Sequence, residues 1–201
     1  MQDELDILRE VGSIISAHGS IALSKILGKR ITISIPTTDF ISSKTVLNKV
    51  SSSQIGIAVI SSFVTGLKGR VVFLLDEKNA FKVVDMSYKI PAEEKQAGML
   101  TEMGLSLIKE IGNIVIGAGT NALSMILRVA ILTVPPTLIS GSIEEILRIA
   151  LFPAGEEGFS LLIEVAFEEP EGKIKGGFYL VLTSEAAADI KRICKELLNR
   201  L

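Results

Sequence analysis

Apolar residues recur at helical spacing from Leu5 through Leu8, Val11, Ile14, Ile15 and Ile21 to Ile26, and the run closes on Leu27-Gly28. That period predicts a long first helix opened by Asp3 or Asp6, with Gly28 as its C-cap because glycine takes a left-handed turn without steric cost. Residues 30–36 (RITISIP) then alternate with period two, as a half-buried strand does, and Pro36 ends the run. Residues 54–63 and 69–76 are predicted as strands around the turn residues Thr65-Gly66, followed by a short helix over 77–88. Pro91-Ala-Glu-Glu then marks the start of a second long helix, a first-turn proline followed by acids that complement the helix dipole. The order repeats with strands over 129–134, 158–168 and 174–183, and a closing helix over 184–201 has Ser184 as its N-cap. Residues 37–53 and 137–150 carry no decisive period, and 143–150 fits a helix as well as a strand.

The repetition extends to the residues themselves. Residues 6–36 and 106–136 align without a gap at an offset of 100, so that Glu10/Glu110, Gly12/Gly112, Ile14/Ile114, Gly19/Gly119, Ala22/Ala122, Leu23/Leu123, Ser24/Ser124 and Pro36/Pro136 coincide. Lys68-Gly69 is answered by Lys175-Gly176 at an offset of 107, which places seven extra residues in the second half, around 152–158. Neither half looks self-sufficient, so residues 1–201 are expected to form a single domain of two homologous halves, about 1–90 and 91–201. The expected class is α+β: a β-sheet shared by both halves about a pseudo-two-fold axis, with the two long helices on an outer face.

Composition narrows the function classes. An apolar fraction of 48% with 5% aromatics and no Trp implies a globular core of Ile, Leu and Val. Twenty-one basic residues against 23 acidic ones, with no basic stripe, argue against nucleic acid as a partner. Lys191, Arg192, Lys195 and Arg200 interleave with Glu196 in the closing helix, where the dipole favours cations. The uncharged stretch from Ile111 to Leu127 is shorter than the ~20 residues of a membrane span and contains two Asn and three Gly, so no transmembrane helix is expected. An acidic N-terminus, MQDELD, and a lone Cys194 in a helical pattern suit a cytosolic protein. Cys194 reads as an apolar filler, His18 as partly exposed, and Glu144, Glu145, Glu156 and Glu157 as solvated or loop positions.

The polar residues of the second long helix carry the candidate chemistry. Ser106, Glu110, Asn113 and Gly117 are spaced by four, three and four, which puts them on one helical stripe, while Leu107, Ile108, Ile111, Ile114, Val115, Ala118, Ala122 and Ile126 are left to pack the core. A solvated face is the plain reading of such a stripe. Against it stand Gly112, Gly117 and Gly119, each costing roughly 1 kcal/mol relative to Ala inside a helix. Gly117 ends the stripe low, where another molecule's backbone can approach. A carboxylate pairs with a partner's cation, and a carboxamide one turn away both donates and accepts, so the two can dock a partner and hold a water.

Asp or Ser, three residues, Glu, two residues, Asn, 22 residues and Pro is the pattern of the CheC/CheX/FliY family of chemotaxis phosphatases, met here by Ser106, Glu110, Asn113 and Pro136, and the chain resembles that family over essentially its whole length, in a CheC-like arrangement without extra modules. The resemblance implies an aspartyl-phosphate protein phosphatase acting on a phosphorylated CheY-type receiver. Glu110 is then expected to pair with the receiver's active-site lysine and Asn113 to orient the attacking water, with Ser106, Gly117 and Pro136 contributing to the partner-binding surface. The family's partners also include the receptor deamidase CheD, and its fold is shared with flagellar switch components that bind CheY without hydrolysing it, so a non-catalytic adaptor is the alternative. No cofactor or metal of its own is expected, the Mg2+ belonging to the receiver. The first copy reads Asp6, Glu10, Ser13 and Pro36, and lacks the water-orienting carboxamide; its site is expected to dock weakly or not at all and to be catalytically poor. A phosphate cradle at Gly117-Ala-Gly-Thr-Asn121 is disfavoured because it lacks both a lysine and a preceding strand.

Overall fold

A computed structural model describes residues 2–42, 54–88, 101–151, 159–171 and 174–198. The chain runs α1 (Gln2–Leu27), β1 (Thr32–Ile33), β2 (Thr37–Ser42), β3 (Ile55–Ser62), β4 (Gly69–Asp76), α2 (Glu77–Tyr88), α3 (Glu102–Leu127), β5 (Thr137–Ser142), α4 (Ile143–Leu151), β6 (Phe159–Glu169), β7 (Ile174–Thr183) and α5 (Ser184–Leu198).

The strands form one seven-stranded sheet in the order β1-β6-β7-β4-β3-β5, with β2 also pairing β6, and every pairing is antiparallel. Each half sends its first strands to the other half's hairpin: β1 and β2 lie on β6, and β5 lies on β3. The fold is α+β and pseudo-two-fold. At the sheet centre Val72 pairs with Tyr179, two residues that are also each other's equivalents at the offset of 107, so the pseudo-dyad passes between them.

Strand registers locate the extra residues of the second half. Thr37 pairs with Glu164 and Thr137 with Ile60, so β6 follows β3 at an offset of 104. Gly56 pairs with Asp76, and its equivalent Ser160 pairs with Thr183, which keeps β7 at 107 after β4. Four of the seven extra residues therefore precede β6 and three belong to the β6–β7 turn, a correction to their expected placement around 152–158. That segment itself lies outside the described residues.

Alternation along the strands sorts side chains between two layers. Ile57, Val59, Val71, Phe73, Leu75, Ile163, Phe167, Phe178 and Leu180 face α1 and α3, with Ala80, Val83, Ala186 and Ile190 of α2 and α5 completing that core. Phe73, Phe167 and Phe178 stack beneath the helices with ring centroids 4.9 to 5.7 Å apart. On the other face Ala58, Val72, Leu74, Leu162 and Val181 pack with Ile146, Leu147, Ala150 and Leu151 of α4.

The two long helices are seated by their glycines. A Cβ on Gly12 would stand 2.5 Å from Cγ2 of Ile163, and one on Gly112 would stand 2.5 Å from Cβ of Val59; Val59 and Ile163 are equivalents at the offset of 104. Gly19 lies against Val115, and Gly119 against Ile15, so the helices pack antiparallel across the dyad. Here the close approach of a strand or helix accounts for the glycines. By length and composition α3 could cross a membrane, yet half of its apolar window is buried inside the protein, as befits a core helix.

Several local expectations are corrected. Asp3 and Asp6 both lie within α1, which already runs from Gln2. The Pro91 start lies outside the described residues; the described helix opens at Thr101, whose Oγ1 accepts from the Gly104 amide at 3.2 Å. Gly28 does turn left-handed at φ +63°, and Arg128 takes the same turn at φ 54° at the end of α3. Residues 30–36 yield strand only at Thr32–Ile33, and 129–134 only one isolated bridge, Thr133 to Phe63; the longer strands begin after Pro36 and Pro136, at Thr37 and Thr137. Proline lacks an amide to donate, so pairing restarts beyond it. Residues 143–151 are helical because Ser142 and Glu145 form a capping box: the Ser142 hydroxyl accepts from the Glu145 amide at 3.2 Å, and Glu145 Oε2 accepts from the Ser142 amide at 3.3 Å and from the Ser142 hydroxyl at 2.8 Å. Glu145 is thus a capping residue, and its hydrogen bonds from Ser142 hold its carboxyl below the usual range; Glu156 and Glu157 lie outside the described residues. Thr183 rather than Ser184 caps α5, its Oγ1 accepting from the Ala186 amide at 3.2 Å.

Candidate functional site

The seating of α3 decides what it shows to solvent. With Gly112 pressed on Val59 and Gly119 on Ile15, the helical rotation of about 100° per residue carries Ser106, Glu110 and Asn113 to the outer side. All three side chains are exposed. Gly117, half-buried, continues the row, and a Cβ there would meet nothing within 4 Å among the described residues. Internal packing therefore accounts for Gly112 and Gly119 but not for Gly117.

Pro136 is half-buried and ends a segment tied to β3, where the Val134 amide donates to the Ser62 carbonyl at 2.9 Å and the Ser61 hydroxyl donates to the Val134 carbonyl at 2.6 Å. The helix's exit is held as well: the Ser124 hydroxyl donates to the Val129 carbonyl at 2.6 Å, and Ser24 does the same for Lys29. This repeated serine fixes the path from the helix to the proline.

In the first half Asp6 and Glu10 are exposed, Ser13 is half-buried and Pro36 is buried, with its Cβ 3.5 Å from a Cβ on Gly12. Arg9 donates to Asp6 Oδ1 at 3.2 Å, an i,i+3 ion pair on the solvent side. Its counterpart Lys109 is exposed and faces Ser106, which carries no charge. The sequence reading overlooked Lys109; comparing positions 6 and 9 with 106 and 109 would have exposed it.

One apolar residue assigned to the core is corrected, and a second from the apolar period of α1 joins it at the surface. Ile114 is 45% exposed beside Asn113, and Ile21 is 52% exposed on α1, since both lie opposite the glycines that seat their helices. His18 is exposed, with Nδ1 at 3.0 Å from the Ile14 carbonyl. Cys194 is half-buried against the core, and burial raises its thiol pKa, which disfavours the reactive thiolate.

The exposed row can bind and orient but carries no nucleophile–base pair. Among the described residues no group of three His, Cys, Asp or Glu side chains converges as a metal site. A groove of about 240 Å3 lined by Ser62, Lys68, Arg70, Ala150 and Thr183 contains none of the signature residues.

No family model matches the chain. The CheY-P phosphatase CheC of Bacillus subtilis (strain 168) is 25% identical over 124 residues, which span 61% of this chain and 59% of that protein, less than two thirds of its length. The crystal structure of Thermotoga maritima FliY matches with a TM-score of 0.78 at 26% identity, covering 98% of each chain. The CheX-CheY-BeF3-Mg2+ complex from Borrelia burgdorferi matches at 0.57 and 18% identity over 85% of this chain and 97% of that chain. The FliM middle domain from H. pylori matches at 0.68 and 13% over 96% and 99%; these last two likenesses show the fold alone. Likeness in sequence to CheC, and in sequence and fold to FliY, agrees with the resemblance carried by the signature residues.

Proposed function

We propose that this chain is a cytoplasmic chemotaxis phosphatase that docks a phosphorylated CheY-type receiver on the outer face of α3 and hydrolyses its aspartyl phosphate. The observation that carries the proposal is the exposure of Glu110 and Asn113, one turn apart, on a helix held rigidly from behind by Gly112 against Val59. A preorganised polar pair on a rigid element is what a water-positioning site requires.

Glu110 takes the receiver's active-site lysine as an ion pair and sets the register. Asn113 then reaches beside the phosphoryl group, its carbonyl oxygen accepting from a water and its amide group donating. The water attacks phosphorus opposite the aspartyl oxygen, the P–O bond to the carboxylate breaks, and inorganic phosphate leaves while the aspartate regains its charge. The proton lost by the water goes to the phosphate and then to solvent. Positioning and charge stabilisation supply most of the rate in such a transfer, so this chain needs no strong base. The Mg2+ that offsets phosphoryl charge belongs to the receiver. Ser106, the open Gly117 and Pro136 complete the partner-binding surface. Glu10 keeps the first site able to dock, while Ser13, shorter and with a single oxygen, cannot hold the water in the same way.

The test is to incubate the protein with a phosphorylated CheY-type receiver and follow phosphate release against the receiver alone. No acceleration would remove the enzymatic reading. A non-catalytic adaptor for the receiver or for CheD is the second reading, favoured by the likeness in fold to FliM; it predicts binding without faster phosphate release.

A further inference from the structure

We infer that Lys109 is the electrostatic docking residue of the second site, its ammonium group meeting the anionic phosphoryl face of the receiver beside Asn113. The inference rests on the reading of α3 as the phosphatase face.

Lys109 lies one turn before Asn113, about 40° around the helix from it, and is exposed. Among the described residues no carboxylate pairs with it. Its counterpart on α1 differs in one respect. Arg9 occupies the same position but is held by Asp6 at 3.2 Å, whereas Ser106 stands where Asp6 does and leaves the cation open. The two helices are seated alike, Gly12 on Ile163 and Gly112 on Val59, so packing does not account for this difference.

Charge supplies the reason for an open cation at this place. Glu110 brings a negative carboxylate within one turn of an anionic phosphoryl group; the receiver's lysine and Mg2+ offset part of that repulsion, and a cation on α3 beside Asn113 lowers it further. Lys109 is adjacent in sequence to Glu110 but sits about 100° around the helix from it, with Asn113 at an angle between the two. The row then offers an anion for the receiver's lysine and a cation for its phosphoryl group, a two-point match that a single charge cannot provide.

Steady-state dephosphorylation of the receiver at low and high ionic strength tests the inference in the full chain. Lys109→Ala is expected to lower kcat/KM about tenfold at low salt, chiefly through KM, with the loss shrinking as salt is added, and Lys109→Arg to restore most of it. Ser106→Asp, which copies the first half, is expected to cost several-fold more when Lys109 is present than in the Lys109→Ala background. A Lys109→Ala enzyme within twofold of wild type at low salt overturns the inference, as does an equal Ser106→Asp cost in both backgrounds. If wild type does not accelerate phosphate release, the phosphatase reading fails first; titration with a beryllofluoride-activated receiver then decides, because tenfold weaker binding by Lys109→Ala keeps the docking role and unchanged or absent binding removes it.

Discussion

Gly112 rests directly on Val59: a Cβ on the glycine would stand 2.5 Å from Cβ of Val59 and 2.6 and 2.8 Å from its two methyl carbons. This contact sets the height and rotation of α3 over the sheet and, through them, the outward aim of the next residue, Asn113. Gly112→Ala is expected to destabilise the fold by about 1–3 kcal/mol, since the clash is with a β-branched side chain in a close-packed core. Denaturant unfolding measures the loss. A variant as stable as wild type would mean that the helix lifts without cost.

Gly117 should behave in the opposite way. Among the described residues nothing lies within 4 Å of a Cβ there, so Gly117→Ala is expected to stabilise the fold by about 0.5–1 kcal/mol through helix propensity and a less free unfolded chain. If the gap serves a partner's backbone, receiver binding weakens in the same variant. Unfolding and receiver titration on one preparation give both readings, and a variant that gains stability with unchanged affinity would show that the gap is unused.

Asn113→Ala is expected to lower the phosphatase rate by about two to three orders of magnitude, the usual effect of removing one preorganised polar group at a reacting centre. Its exposed side chain makes the fold indifferent to the change. Single-turnover phosphate release checks the rate, and circular dichroism the fold. Comparable turnover in the two proteins would place the water elsewhere.

Asymmetry between the halves gives a test internal to the chain. Glu10→Ala with Ser13→Ala is expected to leave most activity in place, whereas Glu110→Ala with Asn113→Ala removes nearly all of it. Ser13→Asn raises turnover by at most about twofold if the two sites are independent and equal, as simple site counting requires. Should the first-half double variant be the inactive one while still folded, the chemistry would have to be reassigned to α1.

By itself the sequence determined the duplication, the two long helices, the hairpin strands and the outward row from Ser106 to Gly117, because each is written in local periodicity or in a fixed offset between copies. Glycine spacing marked where the helices would be approached, though not by what. Only the tertiary structure decided that Gly112 and Gly119 answer to Val59 and Ile15 while Gly117 answers to nothing among the described residues. It also decided that β2 crosses to β6 and β5 to β3, and that 129–134 forms only a bridge, because strand pairing depends on a partner far away in sequence and a period of two does not name that partner. Ile114 went to the surface for the same kind of reason: an apolar residue at helical spacing shows which stripe it shares, and only the helix's seat on the sheet shows which stripe faces water.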